Sequence, residues 1–287
     1  MPASSPPFRT VVITGASSGI GAALARLYGR PGVTLGLVGR DAARLDAVGS
    51  ELRTVGATVH EGLFDLRDRS ALATYLTDLQ SLQPVELLIV NAGILDGRRA
   101  DGALEDCEAA RRVIDINLLG AIDTVHAVLP QMVSRSSGHI VLVSSLAALS
   151  PVADAPAYSA SKAGLLAYGK ALRASLAGTG VCVSVVCPGY VESAMTDSHI
   201  GQQPGKISAA TAARLIAAGI ARNKQVIGFP RLLYLLAMIS PFVPEALNRL
   251  ATKDIRFHVV PHWELKPQAD NVTNILSGEA SVNRCAD

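Results

Sequence analysis

T-G-A-S-S-G-I-G, from Thr14 to Gly21, is the most informative stretch of the 287-residue chain. Phe8 to Ile13 leads into it with the apolar pattern of a buried strand, and A-A-L-A-R-L-Y after it predicts a helix. Glycines in such a turn let the backbone approach a phosphate, and the helix N-terminus offers unpaired N–H groups. Strand, glycine-rich turn and helix in this order therefore predict a site for the pyrophosphate of a dinucleotide.

Outward from this unit, apolar strands alternate with helices. The strands are predicted at 8–13, 33–38, 58–61, 85–90, 139–143 and 181–186. Helices are predicted after the second, third and fourth strands at 42–55, 70–82 and 103–133, and the helix after the fifth strand runs to about residue 177. Repeated β-α units with short connections predict a single-domain, Rossmann-like α/β fold. This is a doubly wound parallel sheet of about seven strands with helices on both faces. Ligands bind at the carboxyl edge of such a sheet.

The C-terminal part differs in character. The predicted organisation is a catalytic and dinucleotide-binding domain over 1–228, an apolar helical extension over 229–260 and a polar tail over 261–287. Leu232 to Pro244 carries no charge, yet it is too short to cross about 30 Å of hydrocarbon. Three interpretations stay open: a core or subunit-interface helix, a lid over an apolar pocket, and a peripheral membrane contact through 231–249, flanked by Arg231 and Arg249.

Composition narrows the class of protein. Hydrophobic residues make up 49% and charged residues 17%, which predicts a compact globule. The net charge of +2 and the scattered basic residues predict no nucleic-acid partner. Neither the four cysteines nor the six histidines cluster, so we expect no metal and a reducing compartment. The first ten residues lack an apolar core, so we expect a cytoplasmic protein, with membrane association left open.

Tyr158 and Lys162 are the leading catalytic candidates. They lie four residues apart on one face of a predicted helix, where the alternative is an ordinary surface pair. A phenol has a pKa of about 10, and a cation beside it favours the phenolate. We therefore expect Lys162 to lower the pKa of Tyr158, so that the tyrosine acts as a general acid/base near neutral pH. Ser145 ends the strand before this helix and can hydrogen-bond a substrate oxygen.

Other polar positions suggest how a cofactor is held. Arg40 follows the second strand, where a carboxylate would bind the 2′-hydroxyl of NAD. A guanidinium suits a 2′-phosphate, so NADP(H) is favoured over NAD(H) unless Arg40 is a solvated loop residue. Asp65 could meet an adenine edge, and N-A-G at Asn91 to Gly93 leaves room for a cofactor. Asn117 lies inside a predicted helix, so it marks a kink or its amide has a function.

Together these motifs resemble the short-chain dehydrogenase/reductase family over about Phe8 to Ser193. The shared features, in the family's order, are T-G-x-x-x-G-x-G, D-L, N-A-G, a helical Asn, a Ser before Y-x-x-x-K, and P-G after the sixth strand. The sequence departs from the family at Val90, where an asparagine is usual, and at Ser193, where a threonine is usual.

The resemblance implies a role for each matched residue. Tyr158 would be the general acid/base, Ser145 would polarise the substrate oxygen, Lys162 would lower the tyrosine pKa and hold the nicotinamide ribose, and Asn117 would order a water near that lysine. The cofactor-binding positions it implies are Gly15, Ser17, Ser18, Gly19, Ile20, Gly21, Arg40, Asp65, Leu66, Asn91, Ala92, Gly93, Tyr158, Lys162, Pro188, Gly189, Val191 and Ser193.

The sequence thus predicts an NADP(H)-dependent oxidoreductase that interconverts a carbonyl and a secondary alcohol. Met195 and Ile200 in the region of the lid, and the charge-free segment 232–244, favour an apolar lipid, acyl or steroid-like substrate. The alternatives are an NAD-dependent alcohol dehydrogenase and a cofactor-binding regulator without activity. A homodimer or homotetramer is expected from a stripe of small residues on one helix, unless they pack only on their own sheet. The stripe is Ala160, Ala163, Gly164, Ala167 and Ala171.

Overall fold

A parallel sheet of seven strands, in the order β3-β2-β1-β4-β5-β6-β8, runs through the middle of the computed structural model, which describes residues 8–244 and 257–259. Its strands are β1 (Thr10–Thr14), β2 (Thr34–Gly39), β3 (Thr58–Leu63), β4 (Leu87–Val90), β5 (Gly138–Val143), β6 (Val181–Pro188) and β8 (Val226–Phe229). A separate antiparallel pair joins β7 (His199–Gly201) to β9 (Phe257–Val259). The predicted doubly wound α/β fold is confirmed.

Helices cover both faces of the sheet. They are α1 (Gly19–Tyr28), α2 (Ala42–Thr54), α3 (Arg69–Leu82), α4 (Cys107–Ile114), α5 (Gly120–Ser134), α6 (Pro156–Ser175), α7 (Ala194–Asp197), α8 (Ala209–Ala221) and α9 (Arg231–Ile239). Alternate residues of a strand point to opposite faces, so Val11 and Ile13 pack with α1, α2 and α8, whereas Val12 packs with α3, α5 and α6. Strands buried on both faces explain the almost wholly apolar runs in the sequence.

The strand order reverses between β1 and β4, which places a crevice at their carboxyl ends. Val12 pairs in register with Leu88, and Thr14 with Val90, so both strands end at the same level. The turn after β1 and the N-A-G turn after β4 therefore face each other across this point.

The helical run at 103–133 departs from the prediction at its start. It begins at Cys107, where the Asp106 side chain accepts a hydrogen bond from the Ala109 N–H, and a π-helical turn at Asp115–Leu119 separates α4 from α5. By length and composition the described run Cys107–Ser134 could cross a membrane, with a mean hydropathy of 1.4 over its most apolar window. Here Val113 and Val125 on it are fully buried within the fold.

The predicted boundary between 228 and 229 falls at the end of β8, and α9 packs directly on that strand. Of the predicted extension and tail, residues 245–256 and 260–287 lie outside the described residues. Arg249, the second predicted flank of the membrane contact, is among them. The division of the chain into these parts stays a prediction.

Candidate active site

The turn after β1 takes a shape that requires glycine. Gly15 and Gly19 have φ of 68° and 52°, in the left-handed region that favours glycine. A Cβ at Gly21 would lie 2.1 Å from the Gly15 carbonyl oxygen, so helix α1 can start only against a bare backbone. Within the described residues the Ser18 side chain makes no capping hydrogen bond at this helix start, which leaves N–H groups to meet an anion. The turn therefore fits the pyrophosphate of a dinucleotide.

A hydrogen-bonded clasp joins this turn to N-A-G. Thr14 Oγ1 accepts from the backbone N–H groups of Asn91 and Ala92, each at 3.1 Å. The Asn91 side-chain amide donates to the carbonyl oxygens of Thr14 and Gly15, each at 3.1 Å. Thr14 was missed in the sequence, although a threonine that ends a strand before such a turn was the available signal. The clasp makes the two turns one wall at the switch point of the sheet.

Asn117 lies in the π-helical turn and is fully buried. Its Oδ1 accepts from the Ile94 N–H at 2.7 Å, and its Nδ2 donates to the Ile94 carbonyl at 2.9 Å and to Ser161 Oγ at 3.2 Å. A Cβ at Gly93 would lie 3.1 Å from Asn117 Oδ1 and 3.3 Å from Lys162 Nζ, so both side chains surround this glycine. The asparagine thus fixes the loop after β4, and its predicted role with a water stays a prediction.

Ser145 and Tyr158 meet at the carboxyl end of β5. Ser145 precedes a 3₁₀ turn at Leu146–Ala148, and its Oγ accepts from the Ala147 N–H at 3.1 Å. Tyr158 is in the first turn of α6, and its phenol hydrogen-bonds the Ser145 side chain. The two hydroxyls therefore converge as the sequence predicts.

The electrostatic expectation for this pair was wrong. Burial raises the pKa of Tyr158 above its ordinary value, and the hydrogen bond with Ser145 is what acts to lower it. Lys162 is 3% exposed, and burial lowers the pKa of its ammonium to about 8. Its Nζ donates to the Val143 carbonyl at 2.9 Å and lies 5.8 Å from the centre of the Tyr158 ring. Lys162 is thus held by the backbone over the ring, rather than paired with the phenolic oxygen.

The end of the crevice predicted to bind the adenosine contains one more positively charged side chain than the sequence predicts. Asp65 accepts from Arg67 Nε and Nη2, each at 3.0 Å, and lies 3.4 Å from Arg40 Nη1. The hydrogen bond from the Arg67 side chain contributes most to a pKa of about 2 for Asp65. Arg67 was missed, although its position two residues after Asp65 in D-L-R was a signal. The charge of Asp115 also acts on Arg67, so two guanidiniums face two carboxylates at this corner. Leu66 is buried and packs towards Gly120.

The segment after β6 forms the opposite side of the crevice. The Gly189 N–H donates to the Phe229 carbonyl at 2.7 Å, and Val191 is buried. Ser193 caps α7 in a reciprocal pair with Thr196, whose Oγ1 accepts from the Ser193 N–H at 2.9 Å. A Cβ at Gly19 would lie 2.8 Å from Ser193 Cβ, so this loop closes directly over the glycine turn.

The structure therefore brings most predicted site residues to one crevice, while Arg40, Asp65 and Leu66 lie at its outer end. Their assignment as cofactor contacts stays a prediction. Among the described residues, no group of three or more His, Cys, Asp or Glu side chains is placed to hold a metal ion.

Comparisons with known proteins agree with this geometry. A family model described as short chain dehydrogenase matches residues 9–204. An uncharacterized oxidoreductase of Myxococcus xanthus is 36% identical over 250 residues, covering 87% of this chain and 98% of the relative. The structure is similar to a short-chain dehydrogenase from Sphingobium yanoikuyae in complex with NADPH, with a TM-score of 0.72, 28% identity, and 87% and 97% of the two chains covered. It is also similar to a bulky-bulky ketone specific alcohol dehydrogenase from Comamonas testosteroni, with a TM-score of 0.69, 26% identity, and 86% and 92% covered.

Proposed function

Because the chain belongs to the short-chain dehydrogenase/reductase family, we propose that it is an NADP(H)-dependent carbonyl reductase for apolar substrates, with Tyr158 as its general acid/base. Its coarser class, an oxidoreductase of CH–OH groups with NAD(P), follows from the family itself. The observation that carries the proposal is the meeting of Ser145, Tyr158 and Lys162 beside the glycine turn.

The residues divide the chemistry between them. The nicotinamide, when bound, supplies hydride chemistry at its ring carbon. Ser145 hydrogen-bonds the substrate oxygen, and Tyr158 donates a proton to that oxygen as the carbonyl becomes an alcohol. Alcohol oxidation uses the same groups in reverse, with the Tyr158 oxygen accepting the proton. The ammonium of Lys162, with a pKa of about 8, can exchange protons near neutral pH and supports this transfer.

Replacement of Tyr158 by Phe removes the proton donor and keeps the ring. We expect kcat to fall by a factor of about 100 to 10,000 while the dissociation constant of NADPH stays nearly unchanged. Steady-state kinetics and cofactor-fluorescence titration measure the two quantities.

Tyr168→Phe is the matched control for that variant. Tyr168 lies on the same helix, and its buried hydroxyl has no hydrogen-bond partner within the described residues. Its loss should leave kcat unchanged. Most of the activity surviving in Tyr158→Phe would refute the assignment of Tyr158.

The preference for NADP(H) is supported by the loose pairing of Arg40, the residue after β2. Arg40 is half-exposed and only loosely paired with Asp65 at 3.4 Å, whereas Arg67 pairs with both oxygens of that carboxylate. Arg40 is therefore able to turn to a 2′-phosphate while Arg67 neutralises Asp65. An NAD-dependent alcohol dehydrogenase is the alternative, and it requires Arg40 to remain with Asp65.

Arg40→Ala separates these two possibilities. We expect the dissociation constant of NADPH to rise at least about tenfold and that of NADH to change little, because a charged hydrogen bond to phosphate is lost. Arg26→Ala is the control, since Arg26 pairs with Glu51 on the outer surface. An unchanged NADPH affinity in Arg40→Ala would favour the NAD-dependent enzyme.

An apolar substrate is supported by the surface next to the catalytic serine. Helix α9 packs on the 3₁₀ turn that follows Ser145. Ser240 directly follows α9, and its Oγ lies 3.1 Å from Ser150 Oγ. The outward side chains of α9 and of the 3₁₀ turn Ser240–Phe242 after it are strongly exposed, up to 86% for Phe242. They are Leu232, Leu235, Leu236, Met238, Ile239 and Phe242. Within residues 8–244 and 257–259 no element covers this apolar face, which supports a contact outside them. We propose a peripheral contact of α9 with a membrane, in an otherwise cytoplasmic protein.

The double variant Leu235→Glu, Phe242→Glu tests this contact. The wild-type protein should float with phospholipid vesicles, and the variant should not, because two charges are placed on the apolar face. Leu82→Glu changes an equally exposed leucine on α3 and should bind as the wild type does.

A homo-oligomer is the second assembly we propose, since Ala160, Ala167 and Ala171 are exposed on α6. A loss of oligomer mass in the same double variant, without vesicle binding in the wild type, would assign the α9 face to a subunit interface instead.

A further inference from the structure

The first turn of α6, which carries Tyr158, is capped from a different part of the chain. The helix starts at Pro156, which has no N–H, and the preceding Ala155 has no side chain able to cap it. The Ala157 N–H instead donates to Glu105 Oε1 at 2.6 Å, across 52 residues of sequence. Ala157 is the immediate neighbour of Tyr158, so this bond acts on the backbone that sets the direction of the phenol.

The loop that carries Glu105 is pressed against the segment leading into α6. The Arg98 N–H donates to the Asp154 carbonyl at 2.7 Å, and Arg98 Nε donates to the Asp154 carboxylate, also at 2.7 Å. A Cβ at Gly97 would lie 2.3 Å from the Asp154 carbonyl oxygen, so the two backbones are in direct contact. The loop that positions Glu105 near Ala157 is therefore itself held against the segment before α6.

Charged side chains lie near the carboxylate of Glu105. Burial raises its pKa, the Ala157 N–H acts to lower it, and the charges of Asp96 and Arg99 act in opposite directions. Asp96 in turn pairs with Arg99 at 2.9 Å and with Arg112 at 3.9 Å. The Glu105 Oε2 atom is buried and accepts no hydrogen bond within the described residues. Among those residues, the Ala157 N–H is therefore the one hydrogen-bond donor to the Glu105 carboxylate.

We propose that Glu105 is a positioning residue for Tyr158, which it holds against Ser145 by capping the first turn of α6. This inference rests on the proposed function, in which Tyr158 transfers the proton. The start of a helix frays readily when its N–H groups have no acceptor. A displacement of the phenol by about 1 Å from its working position can cost about a hundredfold in rate.

Three variants at Glu105 test the proposal. Glu105→Ala removes the acceptor, Glu105→Asp withdraws it by one methylene group, and Glu105→Gln keeps an oxygen in the same place. We expect kcat to fall about tenfold or more in Glu105→Ala, by less in Glu105→Asp, and to stay within about threefold in Glu105→Gln. The KM for NADPH should hardly change, because the glycine turn lies elsewhere.

The pH profile of alcohol oxidation separates positioning from plain loss of stability. Burial raises the pKa of Tyr158 and the hydrogen bond with Ser145 acts to lower it, so a displaced phenol changes both contributions to its pKa. The ionisable groups facing Tyr158 in the described residues are Lys162 and Tyr190, which all variants keep. The rise of kcat with pH should therefore shift along the pH axis in Glu105→Ala and stay where it is in Glu105→Gln.

Asp106→Ala is the matched control. Asp106 is the next residue in the loop and makes the same kind of bond, to the Ala109 N–H at 2.7 Å, but it caps α4. Its loss should lower the melting temperature and leave the pH profile as it is.

Wild-type kcat and pH profile in Glu105→Ala would overturn the inference, and so would the same kinetic loss in Asp106→Ala. If Glu105→Ala does not fold, Glu105→Asp with wild-type kinetics would overturn it equally. Retained turnover in Tyr158→Phe would instead refute the proposed function.

Discussion

The buried ammonium of Lys162 is the group around which the rest of the site is arranged. A charge that is 3% exposed is unfavourable unless it is hydrogen-bonded, and its pKa of about 8 reflects that cost. Val143 supplies the compensating carbonyl at 2.9 Å, from the last residue of β5. The position of the lysine is therefore set by the carboxyl edge of the sheet on one side and by α6 on the other, where the Tyr158 ring lies beneath it.

Several features of the chain follow from the space that the Lys162 side chain needs at this position. A side chain at residue 93 would press on Lys162 Nζ and Asn117 Oδ1, so glycine ends N-A-G. Asn117 is buried in a π-helical turn because its amide has to reach the Ile94 backbone after β4. The first turn of α6 is in turn tied by Glu105. Backbone hydrogen bonds thus fix Lys162, Asn117 and Ser145 before any ligand binds, which is the preorganisation that proton transfer requires.

Local pattern was sufficient to predict the sheet, the glycine turn and the meeting of Ser145 with Tyr158, because each depends on spacing within one β-α unit. Features that join distant segments were missed. Glu105 lies 52 residues from Ala157, and β7 pairs with β9 across the sequence, so periodicity gives no sign of either contact. The direction of the Tyr158 pKa was wrong for a related reason. Four-residue spacing on a helix gives the proximity of Lys162, but the depth of burial is known only once the surrounding layers are placed.

The most direct test of this account is to compare the unfolding free energy and the carbonyl-dependent oxidation of NADPH in Lys162→Met and in the wild type. If the buried charge of Lys162 is kept for function, the variant should be inactive. Its unfolding free energy at pH 7 should nevertheless be higher than that of the wild type, by about 1 to 2 kcal/mol after the lost hydrogen bond to Val143 is allowed for. Lys170→Met, an exposed lysine on the same helix, should alter neither quantity. A variant at Lys162 that is less stable than the wild type, or that keeps its turnover, would contradict the central role of this cation.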